Sequence, residues 1–339
     1  MSRALARLLQ APSVILLLFW MIVPLSMTLF FSFKRYQLLN LRRPEWADPG
    51  FANFYGFGNY IRVWNNPKFL DLNLGAFSVF NWNSDRFLDF SRFDLLGVSA
   101  VSNSIFMVGS ILILTVVLGL AIALLVNRAF PGRGIVRVLL ISPFFIMPAV
   151  NAVLWINMIL DPVLGLNGIA VAGLNDLINN MKGLPVLGGF FALWPEIEAV
   201  SFRSTQNSSI AVIMMVVWQW TPFAVLIFMT SLQSENLEQK EAATLDGANA
   251  FQQFWFLTLP HLARPIAIVV MIQAIFHLSL YAEIEIVSRG SGNKNLPYLI
   301  GELMHNNVGA ASAAGIFAVI LANIIAIFLL RMVGKNLMD

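Results

Sequence analysis

The chain has 339 residues, of which 58% are hydrophobic and 12% are charged, and its formal net charge at pH 7 is +3. A soluble domain carries about 25% charged residues, so water cannot be the solvent of most of this chain. Cysteine is absent, which excludes disulfide bonds, Cys-ligated zinc and thiol catalysis.

Six long uncharged runs predict six helices that cross a membrane. The hydrocarbon core of a bilayer is about 30 Å thick, so a spanning helix needs roughly 20 apolar residues. Water is absent there, and a helix is the only open-ended structure that satisfies its own backbone. The predicted spans are 12–33, 103–126, 138–160, 210–232, 265–287 and 310–332. The predicted fold is therefore an all-α polytopic membrane protein.

Residues 1–33 are predicted to form an N-terminal anchor helix. Arg3 and Arg7 before an apolar stretch are also typical of a secretory signal peptide. However, the uncharged run 8–33 is longer than the apolar region of a signal, and no small-x-small cleavage site follows promptly. The sequence therefore favours a helix that is retained.

The distribution of basic residues predicts that both termini are cytoplasmic. With the N-terminus inside, the inner segments hold nine Lys and Arg residues in 62 positions, against twelve in 140 for the outer segments. Cytoplasmic loops carry an excess of Lys and Arg, which favours this orientation. Lys34 and Arg35 directly follow the first span and argue against it, but they begin a long loop, and long loops cross largely regardless of charge.

In this orientation the first outer segment, 34–102, is a large periplasmic loop. It is rich in aromatic residues, which disordered segments avoid, so it is predicted to be a compact cap on the five-helix core 103–339. The second outer segment, 161–209, is predicted to begin with a short interfacial helix over 164–180.

A polar segment, 233–264, separates the fourth and fifth spans and is predicted to be a cytoplasmic coupling loop. Ser234 can cap a helix whose first turn holds acidic residues, where the helix dipole favours anions. Ala242 and Ala243 are small enough for a close approach to another surface. Gly247 permits a sharp turn between two short helices. An amphipathic loop of this kind is suited to docking and not to catalysis, although any six-helix protein needs some loop here.

The spacing of Glu241-Ala-Ala, Gly247 and Leu257-Thr-Leu-Pro260 resembles the EAA loop of membrane subunits of bacterial ABC importers. Phe57-Gly-Asn-Tyr60, Asn66-Pro-Lys-Phe69 and Trp218-Gln-Trp-Thr-Pro-Phe223 are similar to carbohydrate-importer permeases of the maltose and glycerol-phosphate group. The resemblance implies docking onto an ATPase through the coupling residues Glu241, Ala242, Ala243, Asp246, Gly247 and Pro260.

The same resemblance implies the remaining partners. They would be an ATPase dimer that binds ATP-Mg, a second homologous permease subunit and a periplasmic solute-binding protein. The cargo would be a sugar or polyol, the location would be the bacterial inner membrane with its lipid, and nucleic acid would play no part. The chain itself is expected to hold no cofactor and no metal.

Polar and aromatic side chains inside the predicted spans are candidates for the substrate pathway. Gln273, His277, Tyr281 and Glu285 recur every four residues of the predicted fifth helix and would form one stripe. Their side chains can donate or accept hydrogen bonds to a polyhydroxylated ligand. Further candidates are Trp218 and Trp220 before Pro222 in the fourth span and Asn151 in the third. Hydrogen bonding and packing between helices is the competing interpretation.

Catalytic motifs are not found. Gly334-Lys335 lacks the glycines and hydroxyl of a phosphate-binding loop, and the three histidines form no His-Glu-x-x-His site. A non-catalytic permease subunit is therefore the leading hypothesis. The alternative is a stand-alone transporter or channel driven by an ion gradient, with His277, Glu283 and Glu285 as its relay. A membrane enzyme would be a third class, but no catalytic set supports it.

Overall fold

A computed structural model describes residues 3–37, 53–70, 99–182, 197–204 and 207–338. The α-helices of these ranges are α1 (Arg3–Ser32), α2 (Gly58–Trp64), α3 (Ala100–Asn127), α4 (Arg133–Ile141), α5 (Pro148–Leu154), α6 (Leu166–Lys182), α7 (Ser208–Gln233), α8 (Leu237–Leu245), α9 (Ala250–Gln253), α10 (Leu259–His277), α11 (Ala282–Ser288), α12 (Leu296–Asn306) and α13 (Val308–Met338). A 3-10 turn, Ser142–Phe145, follows α4, and π-helical segments, Trp155–Ile159 and Phe254–Thr258, follow α5 and α9.

Five stretches of described helix are long and apolar enough to cross a membrane. They are Leu9–Ser32, Ala100–Asn127, Ser208–Gln233, Ala250–His277 and Val308–Phe328. Four of them coincide with the predicted spans 12–33, 103–126, 210–232 and 310–332. The predicted all-α polytopic class is therefore confirmed, with five membrane helices and a bent helix pair that could add a sixth.

The predicted third span, 138–160, is wrong as a single straight helix. The chain bends by 103° between Arg133–Phe145 and Pro148–Ile159. Pro148 has no N–H to donate to the preceding turn, and Met147 before it is extended, with φ −60° and ψ 139°. The two halves, α4 and α5, are therefore separate helices joined at a proline-enforced break.

The bent pair nevertheless follows α7 along much of its length. Near the start of the pair, Arg137 and Met229 line the same small apolar cavity. After the bend, Asn151 donates to the carbonyl of Met215, with 3.1 Å between the two atoms. The π-helical segment after α5 then packs with the first turns of α7. The two halves of the pair therefore both lie along α7, with the break packed against its middle.

The predicted fifth helix, 265–287, is also wrong in its bounds. The helical path begins at Ala250 and ends at His277, and the chain restarts as α11 only after a turn. The hydroxyl of Ser279 donates to the carbonyl of Phe276 (2.6 Å), and the amide of Asn295 donates to the carbonyl of Leu280. Ser279 satisfies a carbonyl of the last turn of α10, and Asn295 satisfies one in the turn that follows, so the helix can end inside the bundle.

One end of the bundle is fastened by contacts among α1, α2 and α13. The amide of Asn59 donates to the carbonyls of Ser32 (2.9 Å) and Lys34 (2.6 Å). Gly309 allows this approach, since a Cβ there would lie 2.1 Å from the Lys34 carbonyl oxygen. Most of the predicted cap 34–102 lies outside the described residues, but its described aromatic rings, such as Phe69, pack on α13.

The centre of the bundle is the contact between α3 and α7, which bury their smallest residues against each other. A Cβ at Gly119 would lie 2.7 Å from the Cβ of Ala224. Phe228, Ile111 and Met215 fill the space above and below and are fully buried. The cap contacts lie at one end of this core, and the segment between α7 and α10 lies at the other.

Candidate functional site

The segment that joins α7 to α10 contains the predicted coupling residues. Its first helix, α8, begins after Asn236, whose side chain accepts from the N–H of Glu238 at 2.9 Å. The predicted cap, Ser234, is wrong, because α7 continues to Gln233 and Ser234 closes that helix by donating to the carbonyl of Ser231. The first turn of α8 nevertheless contains an acidic residue, Glu238.

Gly247 forms the turn between α8 and α9, as its position predicts. Its φ is +84°, which lies in the left-handed region that favours glycine. The N–H of Ala248 donates to Ala243 (2.9 Å) and that of Gly247 donates to Thr244 (3.1 Å), so two open carbonyls of α8 are satisfied. No heavy atom lies within 4 Å of a Cβ built at Gly247, so the requirement is conformational and not steric.

Polar contacts centred on the buried carboxylate of Glu235 brace α8 against the start of α10. The carboxylate of Glu235 pairs with Lys240 at 2.7 Å and accepts from the hydroxyl of Thr258 at 2.8 Å. Its side chain is only 6% exposed. The amide of Gln253 adds a bond to the hydroxyl of Thr244 (3.1 Å). These bonds link α8 to α9 and to Thr258, the residue directly before α10.

The outer surface of this segment is both charged and apolar. Of the predicted coupling residues, Glu241, Ala242 and Asp246 are exposed and Ala243 is half-buried, whereas Pro260 lies in the first turn of α10. Large apolar side chains stand beside them: Leu245 is 89% exposed, and Phe251 and Phe256 are also exposed. An exposed apolar patch with a charged border is typical of a surface that another protein covers.

Asn151, a predicted pathway residue, lies at the break between α4 and α5. It is fully buried, and its amide donates to the carbonyl of Met215 and to the side-chain oxygen of Gln219 (3.0 Å). Gln219 in turn donates to the carbonyl of Ile146, which the bend leaves without a helical partner. Gln219 lies between the two candidate tryptophans of the predicted fourth span, but nothing in the sequence indicated that it bonds to the break.

The predicted pathway tryptophans pack against two separate groups of aromatic rings on different sides of α7. The ring of Trp220 packs edge-on against His277, with 4.9 Å between centroids, and contacts Phe276 (5.2 Å) and Phe144 (5.4 Å). Trp218 is 39% exposed and contacts Trp155. The structure therefore brings α7, α10 and the bent pair together through aromatic surfaces at mid-bundle.

The predicted stripe on the fifth helix is divided by the helix break, and the prediction of one continuous stripe is wrong. Gln273 and His277 lie on α10 and are almost completely buried. Both amide atoms of Gln273 and Nε2 of His277 lack a hydrogen-bond partner among the described residues. Tyr281 follows the break and stacks on Tyr298, with 5.5 Å between ring centroids. Glu285, on α11, is exposed and accepts from the hydroxyl of Tyr298 (2.9 Å).

The chain matches a known family over most of its length. The model of the family described as "Binding-protein-dependent transport system inner membrane component" matches residues 96–339. The chain is 26% identical over 334 residues to the inner membrane ABC transporter permease protein YcjO of Escherichia coli, covering 98% of this chain and 94% of that protein. It is 25% identical over 324 residues to the multiple sugar-binding transport system permease protein MsmF of Streptococcus mutans, covering 93% of this chain and 94% of that protein.

The fold also matches solved structures. A chain of a bacterial ABC transporter involved in the import of the acidic polysaccharide alginate superposes with a TM-score of 0.67, at 19% identity, covering 98% of this chain and 95% of that chain. At this identity the match concerns the fold alone. The family match, together with helices able to cross a membrane, identifies a multi-pass inner-membrane transport component and not a catalyst. This chain therefore belongs to the family of inner membrane components of binding-protein-dependent transport systems.

Proposed function

We propose that this ABC importer permease moves a sugar or sugar alcohol by alternating access, driven by ATP hydrolysis in partner subunits. Curated relatives support a saccharide cargo: besides MsmF, the trehalose/maltose transport system permease protein MalF of Thermococcus litoralis is 26% identical over 263 residues, covering 77% of this chain and 68% of that protein. The family match favours this reading over a stand-alone transporter driven by an ion gradient. ATP-Mg would bind the partners and not this chain.

The braced coupling segment is the observation that carries the proposal. Its partner would be an ATPase dimer, with a second homologous permease subunit beside this chain and a periplasmic solute-binding protein at the opposite end. Leu245, Glu241 and Asp246 offer an exposed mixed surface to the ATPase. The Glu235–Lys240 pair would then pass movement to α10. A ligand changes a conformational equilibrium only through different affinities for the two states, so ATP and the loaded binding protein would both favour the outward form.

The proposed topology has six spans with both termini in the cytoplasm, and it counts the bent pair as one span. The anchor 1–33 and the core 103–339 would then flank a periplasmic cap at 34–102. The coupling loop 233–264 would face the cytoplasm. This arrangement is supported by the position of α8 at the end of the bundle opposite Asn59 and Gly309.

The proposed substrate pathway passes the ring of Trp220. Trp220 would cover a C–H face of a sugar, and Gln273 and His277 would offer hydrogen bonds to its hydroxyls. The unpaired buried atoms of those two residues support this role, since buried polar groups normally have partners. Trp218, two residues away on α7, faces nearly the opposite side and would act through its contact with Trp155. Tyr281, beyond the helix break, would lie towards the periplasmic approach. Asn151 would act indirectly, because both of its described amide bonds hold the break to α7.

Purification of the tagged chain from its own membrane tests the proposed assembly. Co-elution of an ATPase and a second permease is expected, and ATPase activity should rise when the loaded binding protein is added. If the purified chain, free of any ATPase, transports solute in liposomes under an ion gradient alone, the proposal is wrong and the secondary transporter is supported.

Replacing Gln273 tests the pathway. The variant Gln273→Leu should fold normally, because the amide has no partner within the described chain and an apolar side chain of similar shape fits a buried site. Loss of one hydrogen bond to the cargo costs about 1 kcal/mol, so uptake should fall roughly fivefold at low substrate concentration.

The matched control for this variant is Thr115→Val. Thr115 is also fully buried in a membrane helix, and its hydroxyl also has no described partner. Uptake by proteoliposomes should be unchanged for Thr115→Val. Native uptake by Gln273→Leu at normal membrane levels would remove Gln273 from the pathway.

A further inference from the structure

Helix α6 combines three surfaces of different chemistry, and one of them carries its hydrogen bonds to the other described residues. The contacting side carries Asn167, Asn175 and the buried Ile178. The amide of Asn167 donates to the carbonyl of Val200 at 2.9 Å. Asn175 and the backbone of Ile197 exchange two hydrogen bonds of 2.9 Å each. This side of α6 is therefore held to segment 197–204 by the hydrogen bonds of its asparagine side chains.

A second side of α6 is an apolar stripe that the described residues leave largely exposed. Its members recur at helical spacing and are exposed, at 61% for Leu166, 48% for Leu174, 60% for Leu177 and 38% for Met181. Val163 and Leu164, directly before the helix, are 76% and 81% exposed. The third side carries the exposed polar residues Asp176, Asn179 and Asn180, with the exposed Ile169 nearer the start of the helix. If water surrounded both exposed sides of α6, nothing would favour gathering the leucines on one of them.

The start of α6 is tied closely to the end of the bent pair. Oδ1 of Asp161 accepts from the N–H groups of Val163 (2.9 Å) and Leu164 (2.8 Å), and bonds to the Leu164 and Val163 N–H groups lower the pKa of its carboxyl. A Cβ at Gly168 would lie 2.4 Å from the carbonyl oxygen of Pro162. The turn is therefore compact, and α6 cannot move far from the membrane depth at which the pair ends.

We propose that α6 lies flat in the membrane interface, on the side opposite α8, with its apolar stripe buried in lipid. Its partner is the lipid surface, because the stripe continues directly from the end of the apolar bent pair, which the proposed topology counts as one membrane span. In such helices the apolar face sits about 5–10 Å into the headgroup and acyl boundary. Asp176 and Asn179 then face water. Lys182 is the one basic residue of α6, so zwitterionic lipid suffices.

A helix held in the lipid interface would also fix the depth of the elements that are bonded to it. The asparagine bonds hold segment 197–204 to α6, and that segment leads towards the start of α7. The bent pair and α7 are thus both fastened, at the end away from α8, to one helix that rests on the bilayer. When α8 is moved, this end of the bent pair stays at constant depth and the break absorbs the displacement.

The absence of cysteine from the chain permits a direct test with single spin labels. Leu174→Cys and Leu177→Cys place the label on the stripe, and Asp176→Cys and Asn179→Cys place it on the polar side of the same helix. The complete transporter, with partner subunits free of reactive cysteines, is reconstituted in phosphatidylcholine nanodiscs. Power saturation with oxygen and with a water-soluble nickel chelate then gives the depth of each label.

Labels on the stripe should be reached by oxygen and shielded from the nickel chelate, at a depth of about 5–10 Å. Labels at 176 and 179 should be reached by the chelate. Equal access of the chelate to all four positions would mean a water-exposed helix and would overturn the proposal. Protection of the stripe from both reagents would mean that a protein partner covers it, which would overturn the proposal as well. Neither outcome bears on the docking of α8, so the proposed function is tested separately.

Discussion

Glu241→Lys is expected to lower ATP-driven uptake more than tenfold while the chain still folds and inserts. Glu241 is exposed on α8, and none of the described residues hydrogen-bonds or pairs with its carboxylate, so the fold loses nothing when it is replaced. For binding to the ATPase, by contrast, a charge that pairs with the partner subunit across the interface contributes strongly. Removing one member of such a pair costs about 2–5 kcal/mol, and reversing its sign adds repulsion. Every 1.4 kcal/mol is about tenfold in affinity.

The control for this experiment lies on the same helix. Gln239 is exposed and two residues away, which places it nearly on the opposite side of α8. Gln239→Lys also introduces a lysine, and it should leave uptake and ATPase association close to native. Co-elution of the ATPase and ATP hydrolysis stimulated by the binding protein are measured for both variants. Native coupling in Glu241→Lys would exclude α8 as the docking surface.

The helices of this protein could be read from the sequence where a signal was local. Long apolar runs predicted four spans to within four residues at each end, since only a helix satisfies its own backbone in lipid. The turn at Gly247 was equally local, because the left-handed region there favours glycine. Both features depend on residues within one or two helical turns of each other.

The helix break after His277 could not be read in this way. The run 265–282 is uncharged and apolar, and its polar residues recur at helical spacing, so a continuous helix was the simplest expectation. The carbonyl of Leu280 is satisfied by Asn295, which is fifteen residues away in the chain. Such a partner is known only when the fold is known. The division of Gln273 and His277 from Tyr281 and Glu285 follows from it.

The site differs from its prediction for the same reason. Glu235, Lys240 and Thr258 were not expected to form a buried link, because they are separated by a turn and a helix. Asn151 was expected to face a cargo, yet it bonds to Met215 and Gln219. Polar residues within a membrane span signal importance without revealing whether the partner is a ligand or another helix.

Gln219→Leu is expected to destabilise the protein by about 1–3 kcal/mol, because it leaves buried polar groups without partners. The carbonyl of Ile146 loses the amide that satisfies it at the bend, and the amide of Asn151 loses one of its two acceptors. In lipid, no water can replace these bonds. The thermal midpoint of the purified complex in nanodiscs should therefore fall, and uptake should fall with it as the break loosens.

Asn157→Leu is the control for Gln219→Leu. It tests whether the loss of any side-chain amide near the bent pair lowers the thermal midpoint. Asn157 lies in the π-helical segment after α5, and its side chain bonds to the carbonyl of Val153 (3.0 Å) and to Arg203 (2.8 Å). Both bonds are exposed, so water or headgroups can replace them, and the thermal midpoint should change little. An equal fall for both variants would mean that Gln219 has no special role. If the thermal midpoint falls for Gln219→Leu alone, the bend is held by α7. If uptake falls as well while ATPase association stays intact, transport depends on holding the bend.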